Sequence, residues 1–189
     1  ERGMLLYVNR AFTEIFGYSS EEAVGSFALN LLGKARYDAE TRARLTTLVR
    51  EGKTFREEIR AFDKAGNELW LLATVRPVLG ADRQVENLVC VLENTTESRQ
   101  IQALQRDVLE AVAQDKPLRQ VANLICSRVE KIFPEVTATI AEVDPDKRLR
   151  PLAAPSMPEY YSQGIDGQPI GPYAGSCGTA AYRGEPVST

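Results

Sequence analysis

Between Phe55 and Leu92 the hydrophobic pattern has a period of two, and two turn signals cut it into three pieces. Phe55, Glu57, Ile59 and Ala61 alternate with Arg56, Glu58, Arg60 and Phe62. Asp63 to Gly66 (DKAG) reads as a hairpin turn, Asn67 to Val78 as a longer strand carrying Trp70, and Ala81 to Arg83 as a second turn before a strand from Val85 to Leu92. Turns this short leave only antiparallel pairing, because a parallel connection needs a crossover of a dozen or more residues. A three-stranded antiparallel meander is therefore expected within the first hundred or so residues.

Short helices precede it. Met4 to Val8 (MLLYV) reads as a strand, and Asn9 begins a helical pattern with Phe12, Ile15 and Phe16 on one face and Gly17 as its stop. Ser19 or Ser20 caps a second helix, with Glu21 and Glu22 in its first turn. Residues 38 to 51 predict a third, with Leu45, Leu48 and Val49 inward.

After Thr95 the period becomes helical again. From Glu97 to Gln114, Ile101, Leu104, Val108 and Val112 form a stripe of 3-4-4 spacing, which either packs on its own domain or pairs with the same helix of a second chain. Asp115 reads as the N-cap of a further helix that turns Leu118, Val121, Leu124, Ile125, Val129 and Ile132 inward and ends before Pro134. A strand from Val136 to Val143, a DPDK turn, a short strand at Leu149 to Ala153 and a loop-rich tail follow.

The count that excludes most is zero: there is no histidine. That removes the Ser-His-Asp and Cys-His nucleophile arrangements, the common catalytic zinc sites and His-ligated haem. Cys90, Cys126 and Cys177 are too few and too widely spaced for a disulfide framework or a C-x-x-C metal site, and they suit a reducing cytoplasm. A net charge of −3 gives no electrostatic footprint for nucleic acid, and no apolar run is long enough to span a membrane.

The words LLYVNRAFTEIFGYSSEEAVG, FDKAGNELWLLATVRPV and LENTTESR resemble a PAS domain over residues 1 to about 98. Asn9, Phe16-Gly17-Tyr18, Gly25 and the Asn94-Thr95-Thr96-Glu97 close stand where PAS domains carry such residues, although the close usually begins with Asp. From about residue 117, AAPSMPEYY and IGPYAGSCGTAAYRGEPV resemble the first half of a GAF domain. The tandem is similar to the PAS–GAF region of bacterial cyclic-di-GMP signalling proteins of the direct-oxygen-sensing phosphodiesterase type, in which GGDEF or EAL domains follow. The resemblance implies an α+β fold: a PAS-type antiparallel sheet with flanking short helices (residues 1–96), a signalling linker helix (97–116) and an incomplete GAF-type α/β domain (117–189). It further implies a PAS strand before residue 1 and more GAF chain after Thr189.

What it implies for function is a cytoplasmic sensory fragment of a homodimer. This fragment receives a small-molecule, redox or upstream-domain signal and passes it through the helix bearing Ile101, Leu104, Val108 and Val112 to downstream output domains of the same chain. No catalysis is expected from the fragment itself. Candidate ligand contacts are Trp70, Tyr37, Tyr173 and Cys177, with Lys34 and Arg36 beside Tyr37 as an alternative solvated basic edge. The ligand is not specified. A light-sensing flavin PAS domain carries its cysteine in a helical Asn-Cys-Arg motif, whereas Cys90 falls in a strand. For Cys177 three readings stand open: a catalytic thiol as in GAF-fold methionine sulfoxide reductases, a ligand contact, or a small residue at a tight bend. A ligand-free dimerisation module is the remaining alternative.

Overall fold

The structure is a computed structural model that describes residues 3–33 and 39–188. Strands β1 (Phe55–Phe62), β2 (Glu68–Leu79) and β3 (Val85–Asn94) form an antiparallel sheet in that order. Ile59 lies opposite Leu71, and Ala73 opposite Leu92. Directly opposed residues share a face, so Phe55, Glu57, Ile59 and Ala61 join Leu69, Leu71, Ala73 and Val75, and then Leu88, Cys90 and Leu92. Leu71, Ala73 and Val75 on this face are buried.

The helices α1 (Arg10–Phe16), α2 (Ser20–Ala23), α3 (Ala28–Gly33) and α4 (Ala39–Glu51) precede the sheet. Asn9 caps α1 by accepting the Phe12 N–H at 3.0 Å, and Gly17 closes it with φ 72°, a conformation a Cβ disfavours. Ser19 and Glu22 form a reciprocal capping box on α2. Phe16, Leu32, Ala61 and Leu71 make the core, with Phe12, Ile15, Ile59, Leu69 and Leu92 packed around it.

Two expectations change here. Met4 to Val8 makes a single bridge, Met4 to Phe27, and no strand. Leu5 uses its N–H on the Ser26 carbonyl and its C=O on the Gly25 N–H, which ties the segment to the α2–α3 corner instead of a ladder. The helix α3 had no sequence signal, because six residues are too few to display a period.

The β1–β2 turn is fastened to the helices. Asp63 accepts the N–H groups of Gly66 and Asn67 at 2.7 Å each, while the Lys64 N–H donates to the Phe16 carbonyl at 2.8 Å. The Lys64 ammonium holds the Glu22 carboxylate at 2.6 and 2.9 Å. That contact, then the Ser19 backbone N–H, pulls the Glu22 carboxyl below its ordinary pKa. A depressed carboxyl contributes stability above its unfolded-state pKa and loses it as pH falls through the folded one. Lys64→Met should therefore raise the Glu22 pKa, read by carbonyl NMR titration, and make the acid limb of the stability profile shallower.

The chain divides into two compact units after Ser98, inside α5 (Thr96–Ala113). The second contains α6 (Leu118–Ile132), a hairpin of β4 (Ile140–Val143) and β5 (Leu149–Ala153), then α7 (Glu159–Ile165) and α8 (Gly175–Arg183). Ala122, Cys126 and Ala153 form its core with Ala138, Ile140 and Leu152. Asp107 on α5 pairs with Arg128 on α6 at 2.6 Å.

Four boundaries differ from expectation. Asp115 does not cap α6: it sits at φ 51° and closes α5, its N–H on the Val112 carbonyl and the Lys116 N–H on the Ala111 carbonyl, a Schellman-type stop. Pro117 precedes α6 with no side-chain cap, and Leu118, read as inward, is 61% exposed. The strand predicted from Val136 is only Ile140–Val143, since β5 offers just five residues to pair. The loop-rich tail contains α7, and α8 starts at Gly175 behind Ala174.

Candidate functional site

At the end of β3, three consecutive polar side chains join the sheet to α5. The Thr95 N–H donates to the Trp70 carbonyl at 2.8 Å, and the Trp70 N–H donates to the Thr96 hydroxyl oxygen at 2.9 Å. Asn94 turns back on itself, its Oδ1 accepting the Thr96 N–H at 3.0 Å. Thus the first helical residue of α5 replaces a ladder partner for β2, and hydrogen bonds tie β2 to the start of the helix. Asn94 supplies the acceptor that an Asp would supply, without the charge.

In the second unit, a cleft of about 180 Å³ lies between the β4–β5 hairpin, α7 and α8. Its walls are Ile140, Val143, Leu149, Tyr161, Ile165 and Cys177, among others, mostly apolar. Cys177 is the third residue of α8, exposed at the cleft wall. Behind it Gly178 is buried, and a Cβ there would stand 2.7 Å from the Ala174 Cβ, so the small residues of this turn are needed for packing. Tyr173 lies outside the cleft at 96% exposure, which removes it from any set of contacts there.

The PAS domain family matches residues 1–97. This chain belongs to the PAS domain family. The oxygen sensor protein DosP of Escherichia coli K12 is 31% identical over 131 residues, 69% of this chain and 16% of that protein. The methyl sulfide methyltransferase-associated sensor of Methanosarcina acetivorans is 29% identical over 154 residues, 77% of this chain and 15% of that protein. The chain thus spans about a sixth of the curated relatives it matches. Among solved structures, the LOV domain of an Erythrobacter litoralis EL346 blue-light activated histidine kinase is 26% identical, covering 49% of this chain and 84% of its own, with a TM-score of 0.44. The PAS domain of a Colwellia psychrerythraea protein is 22% identical, covering 50% of this chain and 80% of its own, with a TM-score of 0.42.

Within the PAS unit, Trp70, a candidate ligand contact, lies on the sheet face opposite Leu71, half-buried, and so away from the helix-packed core. Its backbone is what joins the junction. Tyr37, Lys34 and Arg36 lie outside the described residues. On α5, Ile101, Leu104 and Val108 are half-buried, Ala111 is buried and Val112 is 58% exposed, so the packed stripe runs 3-4-3 and ends on Ala111. Cys90 lies exposed on β3, yet desolvation against the sheet face pushes its thiol up to about 11. Burial, then the Glu130 charge, raises the Cys126 thiol too. Among the described residues no helix is long and apolar enough to cross a membrane, and no group of His, Cys, Asp or Glu could hold a metal ion.

Sequence reasoning placed Thr95 and Thr96 inside a motif without assigning their hydroxyls a role. The signal was present: two consecutive threonines at the point where a strand period gives way to a helical one.

Proposed function

We propose that this PAS chain is the sensory and relay segment of a bacterial signalling protein whose output is the synthesis or hydrolysis of cyclic-di-GMP. A signal received by the PAS unit, as a small molecule or from an upstream domain, shifts β2 and β3 and leaves through Asn94, Thr95 and Thr96 into α5. The second unit is the first half of a GAF domain, whose apolar cleft beside Cys177 admits a small ligand, and the assembly is a homodimer. The observation that carries this reading is the Trp70 backbone held by Thr95 and Thr96, which joins the sheet to the exit helix. The resemblance to DosP, an oxygen sensor, supports the sensory part. The cyclic-di-GMP output follows from the likeness in sequence to PAS–GAF regions of that signalling class.

In a longer natural chain carrying this segment, Thr96→Val removes the acceptor for the Trp70 N–H and should change cyclic-di-GMP turnover by about fivefold or more. Arg10→Ala, which removes only the exposed Arg10–Glu14 pair, is the control. Equal turnover in a folded Thr96→Val protein would sink the relay. Native mass spectrometry of the same protein then asks whether a small molecule travels with it.

A further inference from the structure

The Trp70 carbonyl at the sheet–helix junction faces more donors than it can accept. A backbone carbonyl has two lone pairs. The Thr95 N–H fills one at 2.8 Å, and the hydroxyls of Thr95 and Thr96 stand 3.2 and 3.5 Å from the same oxygen. Each hydroxyl has a single proton to give, so the two compete for the second lone pair. Both distances exceed the roughly 2.7–2.8 Å that O–H···O bonds prefer, so neither threonine has closed on it.

Thr95 has a second acceptor within reach. Its hydroxyl lies 3.4 Å from Oε1 of Glu58, which belongs to β1 and crosses β2 on the same face as Trp70. The carboxylate is the stronger acceptor, since charge-assisted hydrogen bonds are roughly twice as strong as neutral ones. Thr96 is placed differently: its oxygen accepts the Trp70 N–H at 2.9 Å, and its hydroxyl can return a bond to the Trp70 carbonyl. The junction therefore has two arrangements. With the Thr95 hydroxyl on Glu58, Thr96 closes on Trp70 both as acceptor and as donor. With the Thr95 hydroxyl on Trp70, Thr96 keeps only the N–H it accepts. A small movement of β1 chooses between them, and β1 is held from its other face, where Glu57 pairs with Arg44 of α4.

We infer that Glu58 is a positioning residue for the exit helix: it draws the Thr95 hydroxyl off the Trp70 carbonyl, lets Thr96 close on that strand, and so couples α4 and β1 to the start of α5. This rests on the relay of the proposed function and adds a second route into it. Glu58 is exposed, so its pull is modest, on the scale that biases two arrangements of nearly equal energy.

Amide exchange in this chain reads the bias at Trp70, whose N–H is held by Thr96. Glu58→Leu should speed exchange at Trp70 about threefold or more relative to the other β2 amides. Glu58→Gln keeps an acceptor oxygen and should speed it less. The deciding measurement is a double-mutant cycle. In a Thr95→Val background the hydroxyl that Glu58 draws is gone, and Glu58→Leu should leave Trp70 exchange unchanged. Thr95→Ser restores a hydroxyl and should restore the dependence, whereas a purely structural Glu58 would act equally in all three backgrounds. Unchanged exchange in Glu58→Leu, or the same change with and without the Thr95 hydroxyl, overturns the inference and leaves the relay to the Thr96→Val turnover test. Equal turnover in Thr96→Val beside a Thr95-dependent Glu58 effect overturns the relay and leaves Glu58 as the residue that sets the junction.

Discussion

Phe16→Ala should lower the unfolding free energy of the PAS unit by about 3–5 kcal/mol, the usual cost of truncating a fully buried aromatic. Phe16 is 1% exposed and packs with Leu32, Ala61 and Leu71, so it bridges two helices and two strands. Its ring also meets that of Phe12, with centroids 4.6 Å apart and planes tilted by 45°. The hole cannot close easily: the backbone carbonyl of Phe16 is held by Lys64, and Gly17 fixes the chain direction beyond it. Since small domains have roughly 5–15 kcal/mol in all, this single change should bring the unit close to unfolding. Trp70 is the one tryptophan, so denaturation followed by its fluorescence reports the PAS unit. Phe16→Leu keeps most of the volume and should cost about 1.5 kcal/mol or less. A shift below about 1 kcal/mol for the alanine variant would mean that the core relaxes into the space.

The difference between legible and illegible parts follows the range of the forces involved. β1 was readable to the residue at both ends, because Phe55 to Phe62 alternates and Asp63 then bonds its own turn. Asn9 and Ser19 were readable for the same reason: a cap is a contact over three residues, inside the window a pattern can show. Asp115 was not. An Asp before a Lys-Pro pair fits the start of α6 and the end of α5 equally well locally, and the left-handed turn that decides it comes from the two carbonyls behind. Val136 failed similarly, since the length of β4 is set by β5 and not by its own alternation. The side of the sheet that Trp70 occupies was implicit in the alternation with Leu71, and only the position of the helices showed which face is the core. For the site, the motif was visible and its hydrogen bonds were not, because Thr96 is 26 residues from Trp70.

Glu130 shows the same limit on the stability side. Nothing in SRVEKI marks it out from an ordinary polar helix position, yet it ties α6 to two later segments. Its Oε1 accepts the Ala138 N–H at 3.0 Å and its Oε2 accepts the Ser156 hydroxyl at 2.6 Å. Hydrogen bonds to a charged group contribute about 1.5–3 kcal/mol each when shielded, and Ser156 is exposed, so Glu130→Ala should cost about 2–3 kcal/mol in the second unit. The larger share belongs to Ala138, half-buried ahead of β4, whose N–H would lose its acceptor. Amide exchange separates the two bonds: Glu130→Ala should speed exchange at Ala138 by more than about tenfold, whereas Ser156→Ala should leave it slow. Glu130→Gln retains an acceptor oxygen and should recover part of the protection. If Ala138 stays protected in Glu130→Ala, the segment before β4 is held by packing against Cys126 and Ala122, and the carboxylate only decorates it.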